Sequence, residues 1–179
     1  MGIDHVNGSV EAMRLAYEWA LTSPDPSTQN GAVIVDSDGF ILGLGCNDFA
    51  LDVKKKVTRL ERPLKYSCVE HAERSAIFDA VRGGNGDRLK GATMVALWAA
   101  CADCARAIIE CQIGTVVTHS FYRNDTERDH AGDRKNWDEE IDIAFVMLEE
   151  AGVTVQFADF KVMDDDEMPL RYSGSEVRY

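Results

Sequence analysis

Residues 92–118 read ATMVALWAACADCARAIIECQIGTVVT, and this stretch decides the fold class. A short apolar run at 92–97 precedes a segment with helical spacing at 103–111, and a second apolar run follows at 115–118. Two strands joined by a helix run parallel and make a right-handed crossover. The stretch therefore predicts a strand–helix–strand unit with parallel strands.

Helices and strands continue to alternate on both sides of this unit. Two apolar runs flank the turn at 36–39 and predict a hairpin, and Gly83 and Gly84 predict the end of a helix. The predicted helices are 9–21, 71–82, 103–111 and 137–150, and the predicted strands are 32–35, 40–45, 92–97, 115–118 and 153–157. We predict an α/β fold with three α-β-α layers and a five-stranded mixed sheet whose last three strands are parallel.

The length of 179 residues favours one domain that can bury a core without disulfides. We place this domain at residues 1–160 and an acidic C-terminal tail at 161–179, where the run 164–167 predicts a solvated chain. The connection at 47–69 is long and rich in charge. A connection of that length inside a domain is usually functional or disordered.

Composition limits the partners and the compartment. The formal net charge of −12 argues against a nucleic-acid polymer as partner, because polymer binding requires a positive surface. A small anionic nucleotide stays possible if a few Arg or Lys residues gather locally. Residues 1–19 lack the apolar run of a signal peptide, and no window approaches a membrane span of about 20 residues. With five cysteines, an odd number, we expect reduced thiols and a cytoplasmic protein.

Two short motifs, His71-Ala72-Glu73 and Cys101-Ala102-Asp103-Cys104, each open a predicted helix. Cysteines three apart lie on one face of a helix, and the helix N-terminus favours their thiolate form. With His71 as third ligand, one tetrahedral position of a Zn²⁺ ion stays open for water, as in catalytic zinc sites. The motifs therefore predict a zinc site formed by His71, Cys101 and Cys104.

Glu73 lies two residues after His71, so both can serve one site only if His71 sits at the opening of the helix. Placed there, Glu73 reaches past the metal toward the bound water. We predict that Glu73 acts as a general base and then as a general acid, without being a ligand.

Two other interpretations of the motifs stay open. Cys101 and Cys104 could form a redox pair, or Cys68 or Cys111 could close a structural zinc site that activates no water. The occurrence of both motifs in this order, each at a strand-to-helix junction, favours catalysis. We interpret Cys46, Cys68 and Cys111 as buried thiols.

The chain resembles the cytidine deaminase superfamily, and within it the deoxycytidylate deaminase branch, from about Met13 to Phe157. The likeness rests on both zinc motifs and on stretches outside them. These are residues 25–35, where Asn30 replaces an expected Val, residues 45–47, and residues 65–66 ahead of the zinc histidine. Ala151-Gly152-Val153 before the last strand also matches.

The resemblance implies a zinc-dependent hydrolase in which water activated at the metal attacks C4 of the cytosine of dCMP, giving dUMP and ammonia. Glu73 would pass protons to N3 and to the leaving ammonia. Asn47 would hold the sugar, the main chain at Ala72 the base edge, Phe121 or Tyr122 the ring, and Gln29 the phosphate. The relatives form homo-oligomers, often hexamers, so a hexamer or a dimer is expected; CMP, 5-substituted dCMP and cytidine are the alternative substrates.

Three departures from the family pattern limit what can be transferred. Ala100 replaces the usual proline before the first cysteine, which zinc ligation does not require. Residues 49–51 do not match the loop of relatives that respond to dCTP and dTTP. Arg59, Arg62 and Lys65 are candidates for phosphate binding, whereas 54–56 is interpreted as a solvated face.

Overall fold

Helices and strands alternate as the sequence predicts in a computed structural model that describes residues 6, 8–119, 137–159, 162, 169–172 and 174–177. The α-helices are α1 (Ser9–Ala20), α2 (Lys65–Cys68), α3 (Ala72–Arg82), α4 (Ala102–Glu110) and α5 (Trp137–Glu150). The strands are β1 (Gly31–Val35), β2 (Ile41–Cys46), β3 (Asp48–Phe49), β4 (Val69–Glu70), β5 (Thr93–Ala96), β6 (Thr115–His119), β7 (Thr154–Ala158), β8 (Leu170–Tyr172) and β9 (Ser175–Val177).

The central sheet has five strands in the order β2-β1-β5-β6-β7. Strand β1 is antiparallel to both of its neighbours, β2 and β5, while β5, β6 and β7 are parallel. The prediction of a mixed sheet whose last three strands are parallel is confirmed.

The core forms two layers, one on each face of the sheet. Successive residues of β1 point to opposite faces, so Ile34 packs with α3, α4 and α5 while Val33 packs with α1. Both side chains are fully buried. The helices on the two faces complete the predicted three layers.

Helix α3 lies very close to the sheet because β2 presents glycines to it. A Cβ added at Gly45 would lie 2.3 Å from the main-chain oxygen of Ala72, and one added at Gly43 would lie 2.3 Å from that of Ala76. These two contacts bring the beginning of α3 directly over the end of β2.

The connection at 47–69 is folded rather than extended. It contains β3, a 3₁₀ turn (Val57–Leu60) and α2, and β3 pairs with β4 at its far end. The sequence did not predict these short elements, since each has four residues or fewer and depends on contacts outside itself.

Residues near the C-terminus pack on the domain. Strands β8 and β9 form an antiparallel hairpin, and Leu170 is fully buried in the α1 layer. Gln29 N–H donates to the Arg171 carbonyl (2.8 Å), and Gly174 N–H donates to that of Ser27 (2.8 Å). The acidic run 164–167, for which a solvated tail is predicted, lies outside the described residues. In the part of the chain that is described, no helix has the length and apolar character needed to cross a membrane.

Candidate active site

Each of the two motifs opens a helix, as the sequence predicts. His71 is the N-cap residue of α3 with extended φ/ψ of −81° and 152°, and Cys101 is the N-cap residue of α4 with −80° and 173°. Cys104 follows in the first turn of α4. The N-termini of two helices therefore bring the three side chains to one point.

The three candidate ligand atoms have the spacing that a tetrahedral ion requires. His71 Nδ1 lies 3.4 Å from each sulfur, and the two sulfurs lie 3.7 Å apart. Zinc–ligand distances in proteins give about 3.8 Å between two sulfurs and about 3.6 Å between sulfur and nitrogen. The residues present thus have the chemistry and the spacing that fit a Zn²⁺ ion.

The hydrogen bond between the two cysteine thiols shifts their pKa values in opposite directions. The hydrogen bond between the two thiols, followed by that with the neighbouring His71 ring, lowers the pKa of Cys101 to about 3. The same hydrogen bond raises the pKa of the Cys104 thiol. Cys101 is therefore a thiolate at neutral pH, which is the form that binds metals.

The three other cysteines do not join this site. Among the described residues, His71, Cys101 and Cys104 are the one group that could hold a metal ion, so neither Cys68 nor Cys111 closes it. All five cysteines are free thiols. The interpretation of Cys46, Cys68 and Cys111 as buried is wrong, because all three are half-buried and lie where an element ends, at β2, α2 and α4 respectively.

Glu73 is buried beside the candidate ligands, with 2% of its surface exposed. Burial raises the pKa of its carboxyl to about 7. The Asn30 side-chain nitrogen donates to Glu73 Oε2 over 3.5 Å. A carboxyl with a near-neutral pKa can both accept and donate a proton during one reaction.

His71, Cys101 and Glu73 border a pocket that is large enough for a small molecule. Its lining comprises Asp25, Thr28, Asn30, Asn47, Arg62, Lys65, Tyr66, Val69, His71, Ala72, Glu73, Trp98, Ala99, Cys101, Ile141 and Tyr172. The Trp98 and Tyr172 rings contact each other with centroids 4.7 Å apart. The C-terminal hairpin therefore contributes to the wall of the pocket.

Asn47 and Ala72, which the resemblance assigns to substrate binding, line the pocket. Asn47 Nδ2 donates to Asp25 Oδ2 (3.2 Å) and to the Thr28 carbonyl (2.7 Å), and its Oδ1 accepts from Asn30 N–H (2.7 Å). Both amide protons are therefore engaged. A ligand hydroxyl could still donate to the second lone pair of Oδ1.

Gln29 does not line the pocket. The Gln29 side chain donates to the Ser23 carbonyl (3.3 Å) and accepts from Arg171 N–H (3.1 Å), which fixes the C-terminal hairpin. Phe121 and Tyr122 lie outside the described residues.

The basic candidates of the connection have different environments. Arg62 lines the pocket and donates to Ser27 Oγ (2.8 Å) and to the Tyr66 hydroxyl (3.0 Å). Lys65 also lines it but forms a buried ion pair with Asp25. Arg59 is not in the lining and donates to the Lys54 carbonyl.

Asp25 is a central residue that the sequence did not identify. Its side chain is fully buried, its Oδ1 accepts from the main-chain N–H groups of Ser27 (2.8 Å) and Thr28 (3.1 Å), and its Oδ2 accepts from Asn47 and Lys65. The Asp-Pro-Ser sequence signals a local turn. The partners 22 and 40 positions away have no local signal.

Comparison with known proteins gives a consistent match. The family model of the cytidine and deoxycytidylate deaminase zinc-binding region matches residues 7–120. Deoxycytidylate deaminases of Mus musculus and Homo sapiens are each 32% identical over 123 residues, which is 64% of this chain and 66% of theirs. The match thus spans just under two thirds of the length of those relatives.

One further relative and one solved structure extend the comparison. An uncharacterized deaminase in the luxG 3′ region of Aliivibrio fischeri is 31% identical over 141 residues, covering 79% of this chain and 86% of that protein. The dCMP deaminase from the cyanophage S-TIM5, solved in complex with dCMP and dUMP, has a TM-score of 0.61 at 18% identity. The match covers 86% of this chain and 100% of the phage chain, and this likeness supports the fold.

Proposed function

Because the chain belongs to the cytidine and deoxycytidylate deaminase family, we propose that it is a zinc-dependent hydrolase that converts dCMP and water to dUMP and ammonia. The observation that carries this proposal is the arrangement of three metal ligands with a buried carboxyl beside them. No fourth ligand is present among the described residues, so one coordination position is available for water.

His71, Cys101 and Cys104 would hold the zinc ion, which when bound supplies the Lewis acidity that makes water a nucleophile near neutral pH. Glu73 accepts a proton from the attacking water and donates it to N3 of the ring. It then transfers the second proton to the 4-amino nitrogen, which leaves as ammonia while the C4–O bond becomes a carbonyl. Burial of Glu73 keeps bulk water away from these transfers.

The preference for a nucleotide rests on Arg62. The ammonium of Lys65 is paired with the Asp25 carboxylate. Arg62, in contrast, forms no ion pair with a carboxylate of the described residues. Its guanidinium is held in place by Ser27 and Tyr66 at the pocket. A planar guanidinium binds phosphate oxygens in a bidentate manner, so Arg62 is the proposed phosphate ligand. Asn47 Oδ1 is the proposed acceptor for a sugar hydroxyl.

A substrate panel tests this proposal. Zinc-loaded protein is incubated with cytidine, deoxycytidine, CMP, dCMP and dCTP, and ammonia release gives kcat/KM for each. We expect dCMP to have the highest value. Equal turnover of deoxycytidine and dCMP would contradict phosphate recognition, and no turnover of any cytosine compound would contradict the deaminase assignment.

We also propose a cytoplasmic homo-oligomer, a dimer or a hexamer. Phe78 and Val81 expose about half of their surfaces on α3 (46% and 56%) and are candidates for burial between subunits. Light scattering on the zinc-loaded protein would give the assembly size, and a monomer at micromolar concentration would contradict this part of the proposal.

A further inference from the structure

Asn30 carries a buried polar atom that the described structure does not satisfy. The residue is 9% exposed and lines the pocket, and its side-chain oxygen Oδ1 has no hydrogen-bond partner among the described residues. A buried acceptor without a partner costs about 1–3 kcal/mol. Such an atom in a ligand pocket points to a hydrogen bond that the ligand provides.

The remaining polar groups of Asn30 hold its main chain against Asn47 and direct its side-chain nitrogen toward Glu73. Its main-chain N–H donates to Asn47 Oδ1 (2.7 Å), and its carbonyl accepts from Asn47 N–H (3.2 Å). Its side-chain nitrogen points at Glu73 Oε2. Because the two polar atoms of an amide point apart, Oδ1 presents an acceptor next to Glu73 rather than toward it.

Glu73 and Asn30 together match the Watson–Crick edge of cytosine. That edge has an acceptor, N3, next to the 4-amino group, which is the one hydrogen-bond donor of the cytosine ring in a nucleotide. In the proposed function, Glu73 exchanges protons with N3. The adjacent acceptor, Asn30 Oδ1, is then positioned to accept a hydrogen bond from the 4-amino group.

We propose that Asn30 Oδ1 accepts a hydrogen bond from the 4-amino group of the substrate and so makes Asn30 the residue that distinguishes the cytosine ring from the uracil product. This inference rests on the proposed function. After deamination C4 carries an oxygen, so two acceptors face each other and the product is disfavoured. Sites built to bind a particular donor reject analogues without it because their buried polar groups are left unpaired.

Two substitutions test the assignment, Asn30→Val and Asn30→Leu. Leu has the same branching at Cγ as Asn, and both variants remove the amide while retaining the main-chain hydrogen bonds to Asn47. Stoichiometric zinc and an unchanged thermal midpoint would verify that each is folded. The measurements are KM and kcat for dCMP, the inhibition constant of dUMP, and the dissociation constant of dUMP by calorimetry on zinc-loaded protein.

We expect KM for dCMP to rise about tenfold, while dUMP binds as tightly as before or more tightly. The ratio of the dUMP dissociation constant to KM for dCMP should therefore fall at least tenfold. An unchanged ratio in both variants would overturn the inference. A lower kcat with an unchanged ratio would also overturn it, because Asn30 would then only position Glu73.

A second substrate, 5-hydroxymethyl-dCMP, shows which group of the ligand donates to Asn30 Oδ1. If 5-hydroxymethyl-dCMP loses far more kcat/KM than dCMP in both variants, the donor is a C5 substituent and the assignment to the amino group is wrong. Failure of the proposed function has a different signature, since the unmodified protein itself would then not deaminate dCMP.

Discussion

The buried ion pair between Asp25 and Lys65 gives the sharpest stability prediction. Asp25 Oδ2 lies 2.5 Å from Lys65 Nζ, and the two side chains are 0% and 11% exposed. Asp25 also accepts from Asn47 and from two main-chain N–H groups of its own loop. Asp25→Ala removes all four interactions and leaves the Lys65 ammonium buried without a counter-charge.

Loss of one partner of a buried ion pair costs about 3–5 kcal/mol, and we expect Asp25→Ala to be in this range. Lys65→Met leaves the carboxylate with three hydrogen-bond donors, so we expect a smaller loss of about 1–3 kcal/mol. The double variant should be less destabilised than the sum of the two, by about 1 kcal/mol or more, because neither charge is then left uncompensated. Domains of this kind have a total stability of about 5–15 kcal/mol.

Urea unfolding at a fixed free zinc concentration, followed by tryptophan fluorescence, gives the free energies by linear extrapolation. Lys55→Met is the matched control. It breaks the pair between Lys55 and Asp48, in which Lys55 is 58% exposed, and should change stability by less than about 1 kcal/mol. A stabilising role of the buried pair is excluded if Asp25→Ala costs no more than this control, or if the two substitutions are additive.

Three further changes test the site. Glu73→Gln should retain stoichiometric zinc and lower kcat for dCMP by about 10²–10⁴-fold. The control Asp103→Asn changes an exposed carboxylate between the two cysteines and should retain both the zinc and the kcat. Equal losses of kcat in the two variants would exclude a proton-transfer role. Arg62→Met should raise KM for dCMP about tenfold or more and leave deoxycytidine unaffected, and a parallel effect on both substrates would argue against phosphate binding. Gly45→Ala should lower the thermal midpoint and weaken zinc retention, because its Cβ would push on the Ala72 carbonyl at the beginning of α3; an unchanged zinc affinity in a chelator competition would contradict this.

The sequence predicted those parts of the site that have a local signal. His71 and Cys101 each follow extended chain and precede a run with helical spacing, so their place at helix N-termini could be derived from neighbouring residues alone. Their meeting at one point could be inferred only from the chemistry of a shared metal.

The parts that the sequence did not predict depend on long-range contacts. The pairing of β1 with β5 joins residues about 60 positions apart and has no counterpart in local periodicity. Asp25 looks like an ordinary turn residue until Lys65 and Asn47 are brought to it. Gln29 is hydrogen-bonded to the hairpin at 170–177. The composition of residues 161–179 gives no indication of this hairpin.

The division of the pocket between two parts of the chain limits what the family match can say about the substrate. All three candidate zinc ligands and Glu73 lie within residues 7–120, the range of the family model, so the match bears directly on the hydrolytic chemistry. Ile141 and Tyr172 line the same pocket from outside that range, and Asn30 lies inside it but differs from the expected Val. The proposed selection between cytosine compounds therefore rests on the hydrogen-bonding groups of Asn30, Asn47 and Arg62 in this chain, of which Asn30 departs from the family pattern.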